Sequence, residues 1–174
     1  LVVAQTALAA WSGNDVILFN TSTGNQLSSK TMTLDDAFPY RKVGLKMELG
    51  CCVAVDSNQC YVMDASTGQA VCCFKPVPHI EAFTLVPGSA RVVICLEDGH
   101  LNLVDWAKHV VLGISEAMRP QKVWFDPGSV AVVDNLCVAG GNRGRIIYWN
   151  IEAAAKHGTR VEAEAEKFLQ EDQW

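Results

Sequence analysis

An all-β chain of repeated four-stranded antiparallel sheets, followed by a C-terminal α-helix, is the fold class this sequence predicts. Three observations predict it. A strand–turn–strand phrase occurs four times, ending at Phe19-Asn20, Met63-Asp64, Val104-Asp105 and Trp149-Asn150, so the polar residue recurs after 44, 41 and 45 residues. A period of about 40–45 residues closing on an apolar or aromatic residue plus Asp or Asn marks the blades of a β-propeller. Two phrases are followed by the same turn, Thr21-Ser22-Thr23-Gly24 and Ala65-Ser66-Thr67-Gly68, with Gly where a backbone free of Cβ strain is needed. Finally, 49% of the residues are hydrophobic and only 19% charged, which supplies a large core, and the many β-branched residues favour strands.

The elements follow in order. Leu1 to Ala10 is apolar, lacks a basic leader and is short for a signal peptide, so it reads as strand. Leu1 to Asn20 is too short for a first, second and third strand, and the chain begins with Leu rather than Met. The expectation is a truncated first blade preceded by further blades, since propellers close with about four to eight. In the second copy, Gly44 to Leu49, Cys51 to Val55, Cys60 to Asp64 and Gln69 to Phe74 read as strands, with a turn at Asp56-Ser57-Asn58. The third copy is the clearest. Ile80 to Leu85, Arg91 to Leu96, His100 to Asp105 and Val110 to Ile114 are its four strands. Val86-Pro87-Gly88-Ser89 and Glu97-Asp98-Gly99 are its turns, Asp-Gly accepting the positive φ of a tight hairpin.

In the fourth copy Gln121 to Phe125 is the expected first strand, with Asp126-Pro127-Gly128 as its turn. Val130 to Val133 and Leu136 to Ala139 are apolar, and Arg145 to Ile151 is the third strand. The pattern then changes. Glu152 to Lys156 and Val161 to Gln170 are rich in good helix formers. Ala165, Phe168 and Leu169 form one narrow apolar stripe at helical spacing. The domain reading is therefore blades over 1–151, as part of a larger propeller, and a helical extension over 152–174.

Charge and cysteine usage narrow the function classes. A net charge of -5 argues against a general nucleic-acid-binding surface, which needs clustered Lys and Arg. No apolar run approaches the roughly 20 residues that span a bilayer, so no membrane role is expected. The seven cysteines include no CxxC and no zinc-ligand spacing. Adjacent pairs such as Cys51-Cys52 and Cys72-Cys73 sit in strand-like runs, where neighbours point to opposite faces. They read as buried free thiols in a reducing compartment, cytoplasmic or nuclear. The sequon Asn20-Thr21-Ser22 would go unused there, and its residues suit a tight turn in any case.

The third copy resembles the WD40 repeat family. His79 followed by Ile80 to Gly88 is similar to that family's histidine, first strand and Pro-Gly turn. Glu97 to Asp105 is similar to its Asp-Gly turn and Trp-Asp strand, and Asn142 to Asn150 to the same strand with its tryptophan intact as Trp149. The resemblance covers roughly residues 1 to 151; the other copies carry Phe19, Met63 and Val104 in the tryptophan's place. It implies a buried hydrogen-bond network within blades, to which His79, Asp98, Asp15 and Trp149 would contribute. A second phrase, Asp64-Ala65-Ser66-Thr67-Gly68-Gln69, is similar to the Asp-x-x-Thr-Gly of quinoprotein-type propellers, although no copy has that family's following tryptophan.

No GxSxG elbow, P-loop, GxGxxG or HExxH is present. Gly140-Gly141-Asn142-Arg143-Gly144 lies between two strands rather than before a helix, so it reads as a hairpin turn and not a phosphate cradle. No catalytic, cofactor-binding or metal-binding residue is assigned, and the chain is not expected to be an enzyme. The expected function is a protein–protein interaction scaffold within a multiprotein complex, its contacts made by loops and tail. Candidate partner-binding residues are Phe38, Tyr40, Arg41, Lys42, Pro78 and Arg143, with Phe168 and Trp174 in the tail, because aromatic and Arg side chains anchor interfaces. Two alternatives stand beside it. One is an RNA-contacting subunit of a ribonucleoprotein using Arg41, Lys42, Arg143, Arg145 and Tyr40. The other is a quinoprotein-like enzymatic propeller.

Overall fold

The computed structural model describes residues 2–3, 7–12, 15–31, 44–76, 79–97, 100–114, 129–141 and 145–156. They form four antiparallel sheets and one short helix, divided between two compact units, Leu1–Phe74 and Lys75–Trp174. Each sheet is a meander whose consecutive strands are neighbours. Short turns make that the easy topology, since tight hairpins join only adjacent antiparallel strands.

The first unit holds two sheets. β1 (Val2–Val3), β2 (Ala7–Ser12), β3 (Asp15–Asn20) and β4 (Gln26–Thr31) form one. β5 (Gly44–Glu48), β6 (Cys51–Val55), β7 (Cys60–Asp64) and β8 (Ala70–Phe74) form the other. The first sheet therefore has all four strands, contrary to the expectation that Leu1 to Asn20 could not hold three. The economy comes from β1, a two-residue stub pairing Val2 with Ala9 and Val3 with Leu8, and from a β2–β3 hairpin with only two residues between its paired ends, Ser12 and Asp15.

The two sheets pack through alternate residues. Ala9, Val16, Leu18, Cys52, Ala54 and Met63 are buried together, flanked by Trp11, Leu27, Leu45, Met47 and Tyr61. The small side chains Ala9, Cys52 and Ala54 at the seam leave room for Leu18 and Met63, as close packing requires. Burying a side chain such as Leu18 contributes about 1.5–3 kcal/mol. Lys30 on β4 lies 5.0 Å from the centroid of the Tyr61 ring on β7, a cation–π contact across the same seam.

In the second unit, β9 (Ile80–Val86), β10 (Arg91–Leu96), β11 (Leu101–Asp105) and β12 (Val110–Ile114) form the third sheet. β13 (Ser129–Val133), β14 (Leu136–Gly141) and β15 (Arg145–Asn150) form a three-stranded fourth sheet, and α1 (Ile151–Lys156) follows. Val86, Val93, Cys95, Leu101, Leu103, Cys137, Ala139 and Ile151 make the core between these sheets and the helix. Among the described residues β13 opens the fourth sheet, Val130 pairing with Ala139 and Val133 with Leu136. Gln121 to Phe125, the expected first strand, lies outside the described residues. One boundary changes. The third strand ends at Asn150, and Ile151 starts the helix. The expected helical stretch Val161 to Gln170 also lies outside the described residues.

Candidate functional site

The four phrase ends place an Asn or Asp at the close of each third strand, and in three sheets that side chain builds the turn that follows. Asn20 Oδ1 accepts the backbone N–H groups of Ser22 and Thr23 at 2.9 and 3.0 Å. Asp64 Oδ1 accepts those of Ser66 and Thr67 at 2.9 and 2.8 Å. Asp105 Oδ1 accepts those of Ala107 and Lys108, both at 3.1 Å. A short oxygen-bearing side chain is needed, because only it can curl back to the N–H groups two and three residues ahead. The residue four places on then takes a left-handed backbone: Gly24 and Gly68 at φ 72° and 73°, and His109 at φ 57°.

A register shift one or two residues before the Asn or Asp accompanies each turn: Leu18/Phe19, Val62/Met63 and Leu103/Val104. Such bulges sharpen the local twist and re-aim the chain. The turn is also tied to its neighbour. The N–H of Ala65 donates to the Gly50 carbonyl at 2.7 Å, that of Trp106 to Ala90 at 3.0 Å, and that of Ile151 to Asn135 at 2.8 Å. Ala65, Trp106 and Ile151 are each 2% exposed. The turn after the third strand and the turn between the first two strands thus meet at one end of each of these sheets.

Charge at these turns is committed to the backbone. The Asp64 carboxylate is held down at about 2, first by the Ser66 hydroxyl and then by the Thr67 N–H and hydroxyl. Asp105, 5% exposed, also faces Arg91, its register partner, with Nε 3.8 Å from Oδ2. A third polar group was legible in the sequence only as a turn. Asp56 is 1% exposed and accepts the N–H groups of Asn58 and Gln59, both at 2.8 Å, and Gln59 Nε2 at 3.2 Å. The Cys73 thiol donates to Gln59 Oε1 at 3.7 Å. The recognisable signal was an Asp opening a tight turn with Gln three residues on; its link to Cys73 depends on strand pairing.

The expected network residues fall in different sheets. Asp15 opens β3 and accepts the Thr31 hydroxyl at 2.6 Å across to β4. His79 is half-buried just before β9, its carbonyl accepting the Glu97 N–H at 2.8 Å. Trp149 packs half-buried against the core of the second unit. Asp98, the expected partner of His79, lies outside the described residues. So do the candidate contacts Phe38, Tyr40, Arg41, Lys42, Pro78, Arg143, Phe168 and Trp174, and the side chain of Arg145.

All seven cysteines are free thiols; Cys52, Cys60, Cys95 and Cys137 are buried, Cys51 and Cys72 half-buried. Cys73, expected to be buried, is exposed, because it sits on β8, an outer strand of its sheet. Burial pushes the Cys52 and Cys72 thiols up to about 12 and Cys137 to about 11, and raises Cys60 and Cys95 as well. Such thiols behave as small hydrophobes rather than nucleophiles. Among the described residues no group of three or more His, Cys, Asp or Glu could hold a metal ion. No helix among them is long and apolar enough to cross a membrane.

The exposed large apolar side chains of the described residues are at hairpin tips. Leu49 is 59% exposed between β5 and β6, and Val133 and Leu136 are 66% and 43% exposed at the β13–β14 turn. Leu49 also holds φ 49°, beside Gly50 at φ 73°. The sequence pattern had placed it in the strand, since a leucine in a left-handed backbone is not something apolar periodicity can signal.

No protein-family model and no curated protein matches the sequence. Solved structures do. The computationally designed Ika8 protein gives a TM-score of 0.58 at 19% identity, over 82% of this chain and 45% of that one. The computationally designed Ika4 protein gives 0.58 at 20%, over 87% of this chain and 95% of that one. BamB from Moraxella catarrhalis gives 0.60 at 14%, over 85% of this chain and 43% of that one. This chain thus spans less than half the length of Ika8 and BamB. The shared property is the fold, all-β and β-propeller-like.

Proposed function

We propose that this chain is a WD40-like propeller that acts as a protein–protein interaction scaffold within a multiprotein complex, through binding and not catalysis. The observation that carries the reading is Leu49. A bulky side chain in a left-handed backbone is disfavoured by about 1–2 kcal/mol, and leaving it 59% exposed gains nothing for folding. Strain kept at an exposed tip is a pattern of binding sites. The tip is rigid, because Gly50 behind it accepts the Ala65 N–H and Ala65 is anchored by the Asp64 turn. A rigid frame presenting an apolar knob suits a protein partner, whose pocket would enclose the leucine. The seven free thiols support a reducing compartment, cytoplasmic or nuclear.

Affinity capture of the natural protein from its own cells, beside a Leu49→Asp variant, tests this. A defined set of co-purifying proteins, at least one lost from the variant, is the expected result. A protein that purifies alone, or an unchanged partner set with Leu49→Asp, overturns the assignment.

A further inference from the structure

The Asn or Asp that closes each third strand pairs in register with a residue of the strand before it: Asn20 with Ala7, Asp64 with Cys51, Asp105 with Arg91 and Asn150 with Leu136. Residues paired in this way share one face of their sheet. In the first and fourth sheets both members are neutral, and in the third the Asp105 carboxylate has the Arg91 guanidinium, Nε 3.8 Å from Oδ2. The second sheet is the exception. Its Asp64 is paired with Cys51, which stands where the third sheet has its arginine and brings no cation.

The turn does not call for that charge. Asn20 builds the same turn with a neutral amide oxygen, 2.9 and 3.0 Å from the Ser22 and Thr23 N–H groups. At Asp64 the N–H and hydroxyl groups of Ser66 and Thr67 all donate to Oδ1. Among the described residues Oδ2 has no hydrogen-bond or ion-pair partner. With its carboxyl held at about 2, Asp64 is ionised at physiological pH.

Leu49 stands at the same end of this sheet. Gly50, next to it, accepts the N–H of Ala65, next to Asp64, at 2.7 Å. One hydrogen-bonded pair of residues thus lies between the exposed leucine and the open carboxylate oxygen. A protein closing over Leu49 covers both within an ordinary interface footprint, roughly 800 Å² a side. A carboxylate that loses water there without gaining a cation opposes binding.

We propose that the partner's pocket for Leu49 is flanked by an arginine or lysine that pairs with Asp64 Oδ2, in the role that Arg91 takes beside Asp105. The proposal rests on the reading of Leu49 as a partner contact and adds the partner's chemistry: a protein surface apolar at its centre and basic at its rim.

The protein that the wild-type chain captures and Leu49→Asp loses is the probe. Purified, it is titrated against the wild-type chain and Asp64→Asn over about 0.05–0.5 M salt. Asparagine keeps the turn, so unchanged far-UV circular dichroism is expected. Asp64→Asn is expected to bind at least about tenfold more weakly at low salt and to lose most of the salt dependence. Cys51→Arg gives the second sheet the arginine of the third, and is expected to weaken binding in the same way by filling the cation's place. Glu152→Gln removes an exposed charge from the other unit and is expected to leave binding unchanged. A Leu49-dependent partner bound equally by wild type and Asp64→Asn, with the same salt dependence, overturns the basic rim and leaves the Leu49 contact standing. A chain with no Leu49-dependent partner removes the contact itself, and the basic rim with it.

Discussion

Gly24 and Gly68 are a matched pair. Both sit four residues after the turn-building Asn or Asp, both have nearly the same positive φ, and each N–H donates to that residue's carbonyl, at 2.9 and 2.8 Å. They differ in what surrounds them. A Cβ on Gly24 meets nothing within 4 Å, whereas a Cβ on Gly68 falls on Cβ and Oγ of Ser28 in β4. Gly24→Ala therefore measures the backbone cost alone. The left-handed conformation disfavours Ala by about 1–2 kcal/mol, and the stiffer unfolded chain returns about 0.4–1 kcal/mol, leaving a net loss of roughly 0.5–1.5 kcal/mol. Gly68→Ala carries the same loss plus the overlap, about 1–3 kcal/mol for forcing a methyl into packed surroundings. Urea unfolding followed by circular dichroism reads the difference as a shift in midpoint at constant slope. The double variant Gly68→Ala/Ser28→Gly is expected to recover most of the excess, giving a coupling of about 1 kcal/mol or more. Equal losses for the two single variants, or no coupling, would refute the close approach of the Asp64 turn to β4.

Three further outcomes are expected. His109→Gly relieves an exposed residue held at φ 57° and is expected to raise stability by up to about 1 kcal/mol in the same assay. Asp64 has its carboxyl lowered from 3.8 to about 2, so its contribution is full above the ordinary carboxylate value and is lost as pH falls through the folded one; Asp64→Asn keeps an acceptor, as Asn20 does, and is expected to flatten the acid limb of stability between about pH 4 and 2. A thiol reagent is expected to modify Cys73 in the folded protein and to reach Cys52, Cys60, Cys95 and Cys137 only on unfolding, as mass spectrometry of the labelled chain would show.

Much of the fold was legible because it is written locally. β10 and β12 fall where alternating apolar runs and Asp-Gly or Pro-Gly turns place them, and β9 and β11 differ by one residue. These signals act within a few residues and repeat, so each copy supports the others. What stayed hidden depends on pairing. In the fourth sheet the neighbour of β13 is fixed by the register of Val130 with Ala139, which no local pattern reveals. The Asp56–Gln59–Cys73 chain joins β8 to the turn between β6 and β7 across the sheet. Exposure is the least legible of all. Val132 and Val133 are equally apolar neighbours, and only the core on one side of β13 separates a packed residue from an open one.

The fourth repeat shows how little separates a strand return from a helix. Each third strand ends in Asn or Asp, and in the second, third and fourth sheets the next residue's N–H donates to the neighbouring turn. An Asn or Asp whose oxygen takes the N–H groups two and three residues on is also the geometry of a helix N-cap. The first three copies make one such turn and stop, because Gly24, Gly68 and His109 enter the left-handed region four residues on and reverse the chain into β4, β8 and β12. In the fourth copy the corresponding residue is Ala154, within the Glu-Ala-Ala-Ala-Lys run of α1. Ala has the highest helix propensity and no ease in the left-handed region, so the turn propagates. Ile151 is buried just as Ala65 and Trp106 are, which holds the helix start where the other turns begin. The fourth copy thus keeps the buried anchor at Ile151 and differs four residues after the Asn, where Ala154 stands in place of Gly or His.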